Sequence, residues 1–318
     1  MTRLLVIGAS GLLGGEAVLA GVERGHEVVG VTAHVALYPP VGVSAVIADV
    51  TTPGVAIDLV RDVRPTWILN AAAAVDVDAL ETDPDRADRM NVHLPAILAE
   101  AAREAGSRFV HISTDSVFDG EAAQRYTENV EPHPVNVYGR SKWRGEQAVR
   151  ALAPQALIAR TTIFGWNATA KLSLAEWFLA RLEAGVEVTG FTDAWFSPIN
   201  TAHLVEELMD LLDKPGWGAP EGSFGGVLHL AGGECITKYE FGRRLAAVFG
   251  QDPEAIKPGR IVDHTFPAAR SARACLDSSR AASILGHEAP SVDTGLARLR
   301  RDRVSGRWDA LKRMGGIG

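Results

Sequence analysis

Tyr138, Lys142 and Thr114 are residue types that can transfer a proton and polarise a carbonyl group. Tyr138 and Lys142 stand four residues apart in a helical pattern, so both side chains share one face of that helix. A free tyrosine has a pKa of about 10, and an ammonium group one turn away favours the phenolate and lowers that pKa towards neutrality. Thr114 ends an apolar run and offers a hydroxyl that polarises a carbonyl. The set predicts proton transfer; the alternatives are a surface aromatic beside a solvated lysine and a strand-terminal turn residue.

A glycine-rich turn near the start of the chain has the pattern of a dinucleotide site. Gly8, Gly11 and Gly14 follow the apolar run 4–7 and lead directly into a helical pattern. The first glycine permits a tight turn, the second lets the backbone approach the phosphates, and the third lets the helix pack closely on the sheet. The helix N-terminus then offers unpaired N–H groups to a pyrophosphate. The alternative is a structural turn with no ligand.

Strands and helices must alternate along the first half to position these residues. Apolar runs predict strands at 4–7, 27–31, 45–47, 67–69, 109–112 and 156–159. Helical patterns separate them at 13–24, 54–63, 84–105 and 138–151, the second with Thr52 as its N-cap and Pro53 at its first position. We therefore predict an α/β fold, a Rossmann-type doubly wound parallel sheet whose ligands lie beyond the strand ends. The residues at those ends are Gly8, Thr32, Asp49, Asn70, Ser113 and Arg160.

The second half of the chain loses this regular alternation. It contains helical patterns at 172–184, 201–212 and 238–249, strand patterns at 186–189 and 226–230, and an arginine- and alanine-rich tail. The segments 191–198 and 215–220 are predicted loops, the latter rich in proline and glycine. We expect a dinucleotide-binding Rossmann domain over residues 1–162 and about 195–232. A smaller, interleaved substrate-binding domain is expected over about 163–194 and 233–318.

Composition excludes several classes of function. The net charge of −7 argues against a nucleic-acid partner, and no apolar run approaches the roughly 18 residues of a membrane span. The chain opens directly on a strand pattern without a signal peptide. Cys235 and Cys275 are too few for a disulfide framework, so both are expected to be reduced. The nine histidines form no zinc-like pattern. We expect a soluble cytoplasmic protein with no metal and no membrane partner.

Four segments together resemble the extended short-chain dehydrogenase/reductases. They are residues 8–14, 70–73, 111–120 and 138–142. Within that group the chain is most similar to the dTDP-4-dehydrorhamnose reductase family, and the run Ser-Thr-Asp-x-Val-Phe-Asp-Gly from Ser113 is the most specific segment. Residues 160–165 and 196–198 continue the resemblance into the second half.

The resemblance implies NAD(P)H-dependent reduction of a nucleotide-activated 4-keto-6-deoxy sugar, with hydride passing to C4 and a proton coming from Tyr138. Thr114, Tyr138 and Lys142 are the implied catalytic residues, and Lys142 would also hold the nicotinamide ribose. The expected cofactor contacts are Gly8, Ser10, Gly11, Leu12, Leu13, Gly14, Thr32, His34, Asp49, Val50, Asn70, Ala71, Ala72, Ala73, Tyr138, Lys142 and Thr162. The expected substrate contacts are Asp115, Ser116, Ile163, Trp195 and Phe196.

The end of the second strand bears on the choice of cofactor. An acidic residue there would bind the ribose 2′-hydroxyl of NAD, but the chain has Thr32, Ala33 and His34. Because no carboxylate repels a 2′-phosphate, and His34 or Ser10 offers it a hydrogen bond, the sequence favours NADP(H), with NAD(H) as the alternative. An ordinary loop histidine is the other interpretation of His34.

Two departures from the family pattern concern the sugar. These reductases usually carry Tyr at the position of Ser116 and Trp at that of Ile163, so the identity of the sugar stays open. Related 4,6-dehydratases have an Asp–Glu pair after the threonine, whereas here Asp115 precedes Ser116, which disfavours dehydration. Two rival functions remain: an epimerase that retains NAD, and a non-catalytic nucleotide-binding regulator.

Three further residues have weaker expectations. Arg160 would meet a diphosphate or pair with a carboxylate, and Asn91 is expected to tie a helix to the sheet edge. Glu16 aligns with a glutamate of a magnesium-bridged dimer in some relatives, which leaves a homodimer open, although a helix first-turn acid is the stronger interpretation.

Overall fold

The computed structural model describes residues 2–214 and 225–317. The loop predicted at 215–220 lies outside these residues. The strands are β1 (Arg3–Ile7), β2 (Glu27–Thr32), β3 (Val43–Ile47), β4 (Trp67–Asn70), β5 (Arg108–Thr114), β6 (Leu157–Thr161), β7 (Ile163–Phe164), β8 (Val188–Phe191), β9 (Trp195–Phe196), β10 (Ile199–Asn200), β11 (Gly226–His229), β12 (Ile236–Thr237) and β13 (Ile256–Gly259). The α-helices are α1 (Leu12–Glu23), α2 (Val55–Val63), α3 (Val77–Thr82), α4 (Pro84–Asp88), α5 (Leu94–Ala105), α6 (Val137–Leu152), α7 (Leu174–Glu183), α8 (Thr201–Asp213), α9 (Lys238–Val248), α10 (Ser279–Leu285), α11 (Val292–Val304) and α12 (Arg307–Met314).

Seven parallel strands form the main sheet, in the order β11-β6-β5-β4-β1-β2-β3. Successive strand residues alternate between its two faces, as in β1, where Leu4 and Val6 join one apolar cluster and Leu5 and Ile7 join the other. Helices α1 and α8 cover the first face, and α2, α5 and α6 cover the second. The structure therefore confirms the predicted doubly wound α/β sheet.

Two predicted helix boundaries in the first half are wrong. Thr52 and Pro53 do not begin α2, because the chain passes through Gly54 in a left-handed conformation (φ 83°) and the helix starts at Val55. The continuous helix predicted over 84–105 is instead α4, a π-helical segment at Arg89–His93, and α5. Helix α3 precedes them and was not predicted. The π-helical segment matters for the site described below.

Much of the second half packs as short two-stranded ladders beside the sheet. β7 pairs with β10, β9 with β12 and β8 with β13, whereas β11 returns to the main sheet beside β6. The arginine-rich tail, for which no element was predicted, folds into α10, α11 and α12. No helix among residues 2–214 and 225–317 combines the length and the apolar character needed to cross a membrane.

Cys235 and Cys275 form a disulfide, which corrects the expectation that both are reduced. The two residues are 40 positions apart with Cα atoms 5.6 Å from each other. The link joins the start of β12 to the segment before α10, so residues from distant parts of the second half are held together. Sequence spacing alone carries no signal for such a single pair.

Candidate active site

The first cavity lies along the ends of β1, β2, β3 and β4 and has a volume of about 470 Å³. Its position matches the binding edge expected of a doubly wound sheet. Ten of the predicted cofactor contacts line it: Gly8, Ser10, Gly11, Thr32, His34, Asp49, Val50, Ala71, Ala72 and Ala73. The structure therefore brings together residues from four separate strand ends.

The glycine turn has the backbone geometry of a phosphate cradle. Gly8 has a φ of 85°, and a Cβ on it would lie 2.8 Å from the Ala72 nitrogen. A Cβ on Gly14 would lie 2.1 Å from the Gly8 carbonyl oxygen, so the helix packs as closely as predicted. Gly11 precedes α1 without a side-chain cap, which leaves the first N–H groups of the helix free for an anion. These residues fit a dinucleotide pyrophosphate.

Several predicted cofactor residues lie outside the lining of the first cavity. Leu13 packs in the core, and the Thr32 hydroxyl, although at the cavity, donates to the Val35 carbonyl oxygen at 2.5 Å. Thr162 lines a second cavity instead. The others outside the lining are Leu12, Gly14, Asn70, Tyr138 and Lys142.

Arg86 and Arg89 line the first cavity and were not predicted. Arg86 lies in α4 and Arg89 begins the π-helical segment, where Asn91 is fully buried. The Asn91 side chain accepts from the Ala74 N–H at 2.9 Å and donates to the Ala74 carbonyl and the Ser141 hydroxyl, which confirms its structural role. Neither arginine forms an ion pair within residues 2–214 and 225–317. The first cavity therefore has two cationic side chains in its lining that the sequence analysis did not predict.

Thr114 and Tyr138 meet where β5 ends and α6 begins. The Asn136 side chain caps α6 by accepting from the Gly139 N–H at 2.8 Å. A Cβ on Gly139 would lie 2.2 Å from the Ser116 carbonyl oxygen, so this glycine lets the helix start approach the end of β5. The Thr114 hydroxyl lies near the Tyr138 phenol, accepts from the Ser116 N–H at 3.1 Å and donates to Asp115 at 3.1 Å.

The protonation state of Tyr138 differs from the sequence prediction. Burial, together with the nearby Asp115 carboxyl, raises the pKa of Tyr138 to about 12, although the neighbouring Thr114 hydroxyl opposes this shift. Burial also lowers the pKa of Lys142 to about 8. Since Lys142 is no more than 2% exposed, its amine is a poorly solvated and weak cation. The predicted lowering of the tyrosine pKa by this lysine is therefore wrong.

Lys142 reaches back towards β5 and not to the open cavity. Its Nζ donates to the Ile112 carbonyl oxygen at 2.6 Å and lies 3.5 Å from the Nε2 atom of His111. The Nδ1 atom of that buried histidine lies 3.1 Å from the Asn70 side-chain nitrogen. His111 was not among the predicted site residues, although it lies in the segment 111–120, one of the four that carry the family resemblance.

The second cavity, of about 550 Å³, lies on the other side of the segment that follows β4. Four of the five predicted substrate contacts line it: Asp115, Ser116, Trp195 and Phe196. Ile163 does not, because it pairs with Ile199 in the β7–β10 ladder. Burial raises the pKa of Asp115 to about 6, and Lys238 opposes that shift. The lining also includes Lys171, Lys238 and Arg270, which were not predicted.

The two cavities are neighbours along the chain. Residues Ala71–Ala74 line the first cavity and Val75–Asp78 line the second. The Tyr138 ring packs beside the apolar cluster of Ala74, Leu80 and Ala87. Tyr138 therefore lies near both cavities, beside Ala74 of the first and Asp115 of the second, and lines neither. The second cavity carries charges of both signs, since Asp76, Asp78 and Asp115 line it with the three cations, and Arg270 pairs with Asp78 at 2.7 Å.

Two residues with weaker expectations take part in buried ion pairs. Arg160 donates to Glu146 at 2.7 Å, and the same carboxylate accepts from Ser113, so Arg160 is paired and does not face a cavity ligand. Glu16 accepts from Arg307 at 2.6 Å and is 2% exposed. Its carboxylate is therefore engaged within the chain and is not presented at the surface.

Comparisons with known proteins agree with this architecture. The family model described as RmlD substrate binding domain matches residues 1–303. The probable low-salt glycan biosynthesis reductase Agl14 of Haloferax volcanii is 34% identical over 297 residues, covering 92% of this chain and 96% of the relative. The dTDP-4-dehydrorhamnose reductase of Mycobacterium tuberculosis (strain CDC 1551 / Oshkosh) is 32% identical, covering 87% of this chain and 85% of the relative.

A solved structure shows the same fold. The dTDP-4-dehydrorhamnose reductase of Bacillus anthracis, in complex with NADP, superposes with a TM-score of 0.82 at 23% identity, covering 95% of this chain and 99% of that one. The match of the family model to nearly the whole chain, together with the identity to curated reductases, is decisive. The chain belongs to the RmlD substrate binding domain family, within the extended short-chain dehydrogenase/reductases.

Proposed function

We propose that this protein is an NAD(P)H-dependent reductase of a nucleotide-activated 4-keto-6-deoxy sugar. The observation that carries the proposal is the Tyr138 phenol, which lies beside Thr114 and Asp115 while its ring packs against Ala74 of the first cavity. Reductases of this sugar class among the relatives support it, including a dTDP-4-keto-6-deoxy-D-glucose reductase of Streptomyces niveus at 31% identity. The same arrangement gives no support to a dehydratase, because Ser116 stands where the second carboxylate would be needed.

The cofactor would lie along the first cavity. The glycine turn would hold its pyrophosphate, Asp49 and Val50 its adenine, and Ala71–Ala73 the length of the trough. The absence of a carboxylate at Thr32–His34 and the presence of Arg86 and Arg89 favour NADPH, with NADH as the alternative. When bound, the reduced nicotinamide supplies the hydride. Lys142 would also contact its ribose.

The residues of this chain would then complete the reduction. With its pKa raised to about 12, the Tyr138 phenol keeps its proton at neutral pH and can donate it to the substrate oxygen at C4. Thr114 would hold that oxygen by a hydrogen bond as negative charge develops on it. The carbonyl becomes a secondary alcohol, and the proton lost by Tyr138 is replaced from solvent.

The substrate would occupy the second cavity. Asp115, Ser116, Trp195 and Phe196 line it, and Ile163, which lies outside the lining, is withdrawn from the proposed contacts. Lys171 and Lys238 would contact the two phosphates of the nucleotide, because charge-assisted hydrogen bonds from such cations suit a diphosphate, whereas Arg270 is paired with Asp78 at 2.7 Å. We also propose that residues around this cavity form a substrate-binding domain with the boundaries expected from the sequence.

A panel of nucleotide-linked 4-keto sugars with NADPH and NADH tests the proposal. We expect at least one sugar to be reduced, and Tyr138→Phe to lower kcat by about a hundredfold or more while the Kd for NADPH stays nearly unchanged. Tyr38→Phe, at an exposed tyrosine, is the matched control and should be fully active. Full activity of Tyr138→Phe would contradict the assignment. Tightly retained NAD with no net oxidation would favour the epimerase.

A further inference from the structure

We propose that Asn136 is a positioning residue that joins the wall of the second cavity to the helix that carries Tyr138. One end of its side chain caps α6, and the other end holds residues 268–271, here called the cavity strap. This inference deepens the proposed function and rests on it for the roles of Tyr138 and of the nucleotide sugar. Asn136 holds the groups on both sides of it in place and transfers no proton itself.

The two ends of the Asn136 amide have different partners. Its Oδ1 atom accepts from the Gly139 N–H at 2.8 Å, and its Nδ2 atom donates to the Ala269 carbonyl oxygen at 2.9 Å. Because an amide oxygen only accepts and an amide nitrogen only donates, these two bonds fix one orientation of the side chain. Asn136 is buried, so losing either partner leaves a polar group without a substitute. One side chain therefore links two segments that lie 133 positions apart.

The cavity strap forms part of the wall of the second cavity. Arg270 and Ser271 line that cavity, and the Ser271 hydroxyl donates to the Phe118 carbonyl oxygen at 2.6 Å. The Arg270 guanidinium donates to Asp78 at 2.7 Å and lies 5.0 Å from the centre of the Phe266 ring. A shift of the strap would therefore move side chains that line the proposed substrate site.

Helix α3 holds both of these segments as well. Asp78 accepts from the Ala268 N–H in the strap at 3.1 Å. Glu81, three residues later on the same face of the helix, accepts from the Val137 N–H at 2.7 Å. Helix α3, the cavity strap and the start of α6 are therefore one hydrogen-bonded unit, in which Asn136 directly connects the strap to α6.

The two bonds of Asn136 have different expected consequences for the reaction. Tyr138 is the second residue of α6, and the cap on Gly139 fixes the backbone beside it. The bond to Ala269 instead fixes the wall of the substrate cavity. We therefore expect the cap to act mainly on kcat, through the placement of Tyr138, and the strap bond to act mainly on the affinity for the nucleotide sugar.

Two variants separate the two ends of the side chain. Asn136→Ser keeps a hydroxyl that caps α6 but is too short to reach Ala269 at the same time. We expect the KM for the sugar to rise about three- to tenfold, as for the loss of one hydrogen bond, while kcat changes less than about twofold and the Kd for NADPH stays unchanged. Asn136→Ala removes both bonds and should in addition lower kcat about threefold or more.

Asn200→Ser is the matched control. Asn200 caps α8 by accepting from the Ala202 N–H at 2.9 Å, and its Nδ2 atom donates to the Gly295 carbonyl oxygen at 3.3 Å. It is buried and lines neither cavity. The same chemical change there should leave kcat and the KM for the sugar unchanged. An equal rise of the sugar KM in Asn200→Ser and Asn136→Ser would mean a general loss of stability and would overturn the proposal.

Hydrogen exchange followed by mass spectrometry tests the hold on the strap without any reaction. Amides within residues 264–272 should exchange about fivefold faster or more in Asn136→Ser than in the wild-type protein, and at the wild-type rate in Asn200→Ser. Wild-type exchange of this segment in Asn136→Ser would contradict the positioning role. Because the measurement needs no substrate, that result would leave the reductase proposal standing. Faster exchange in a protein that reduces no sugar would contradict only the proposed function.

Discussion

At the scale of single residues, burial decides the chemistry of this site more than sequence spacing does. Tyr138 and Lys142 stand one turn apart as the sequence indicates, yet desolvation raises the pKa of the first and lowers that of the second. The spacing of two residues predicts that they are neighbours. The pKa of Tyr138 also depends on Thr114 and Asp115, which come from another part of the chain.

Arg86 and Arg89 provide a residue-scale prediction about cofactor choice. If they meet the 2′-phosphate, Arg86→Ala and Arg89→Ala should each raise the KM for NADPH about tenfold, since a charge-assisted hydrogen bond contributes roughly 1.5–3 kcal/mol. The KM for NADH should change less than about twofold, because that cofactor lacks the phosphate. Steady-state kinetics with both cofactors measures this difference.

Arg103→Ala on α5 is the control, because that exposed arginine lies away from the first cavity. It should leave both constants unchanged. Equal losses for NADPH and NADH in the two cavity variants would mean that the arginines contact the adenosine and not the phosphate.

Sequence reasoning could place the strand-end residues but not the arginines. Gly8, Asp49 and Ala71 each follow an apolar run, and parallel strands bring such ends to one edge. Arg86 and Arg89 come from a helical stretch whose π-helical turn the sequence pattern does not show. The alternation of apolar residues therefore predicts the edge of the sheet, whereas the approach of a distant helix depends on tertiary packing.

At the scale of elements, helix α8 contains a buried glutamate, Glu207, that makes the free energy of unfolding depend on pH. Burial, together with Asp210 and Glu206, raises the pKa of Glu207 to about 8. The pKa of Glu207 is higher in the folded protein than in the unfolded chain. Its contribution to the free energy of unfolding is therefore fully present below the pKa of the unfolded chain and is lost as the pH rises through the folded pKa of about 8. The charged form of Glu207 therefore destabilises the protein in alkaline solution.

Glu207→Gln should remove this cost. We expect the free energy of unfolding to rise by about 2 kcal/mol at pH 9, which corresponds to roughly 4 °C in Tm, and to change little at pH 5. Thermal unfolding at the two pH values measures the difference between variant and wild type. Glu206→Gln on the same helix should give a smaller gain, because the repulsion of Glu207 that it removes is offset by the loss of the ion pair between Glu206 and Arg298. An equal gain from Glu207→Gln at both pH values would show that the carboxyl group is not the cause.

At the scale of the whole molecule, a regular sheet and an irregular second half share one site. The apolar runs of the first half predict the regular sheet, and the seven-stranded main sheet confirms that prediction. The tail helices were not predicted because α11 and α12 are rich in arginine, and their apolar residues, such as Leu296 and Leu311, are few. The Cys235–Cys275 link and the partners of β8 and β9 are likewise long-range contacts that local patterns do not encode.

In the proposed reaction, the fold brings a reduced nicotinamide, the Tyr138 phenol and a keto sugar together. Transfer of deuterium from NADPH that carries deuterium at both C4 positions of the nicotinamide, (4,4-²H₂)-NADPH, to a nucleotide 4-keto-6-deoxy sugar is the most direct measurement of that claim. We predict one deuterium at C4 of the sugar for each NADPH oxidised by the wild-type enzyme, and at least a hundredfold slower transfer with Tyr138→Phe. If no cofactor is oxidised, or if the product carries no deuterium at C4, the proposed hydride transfer to C4 is contradicted.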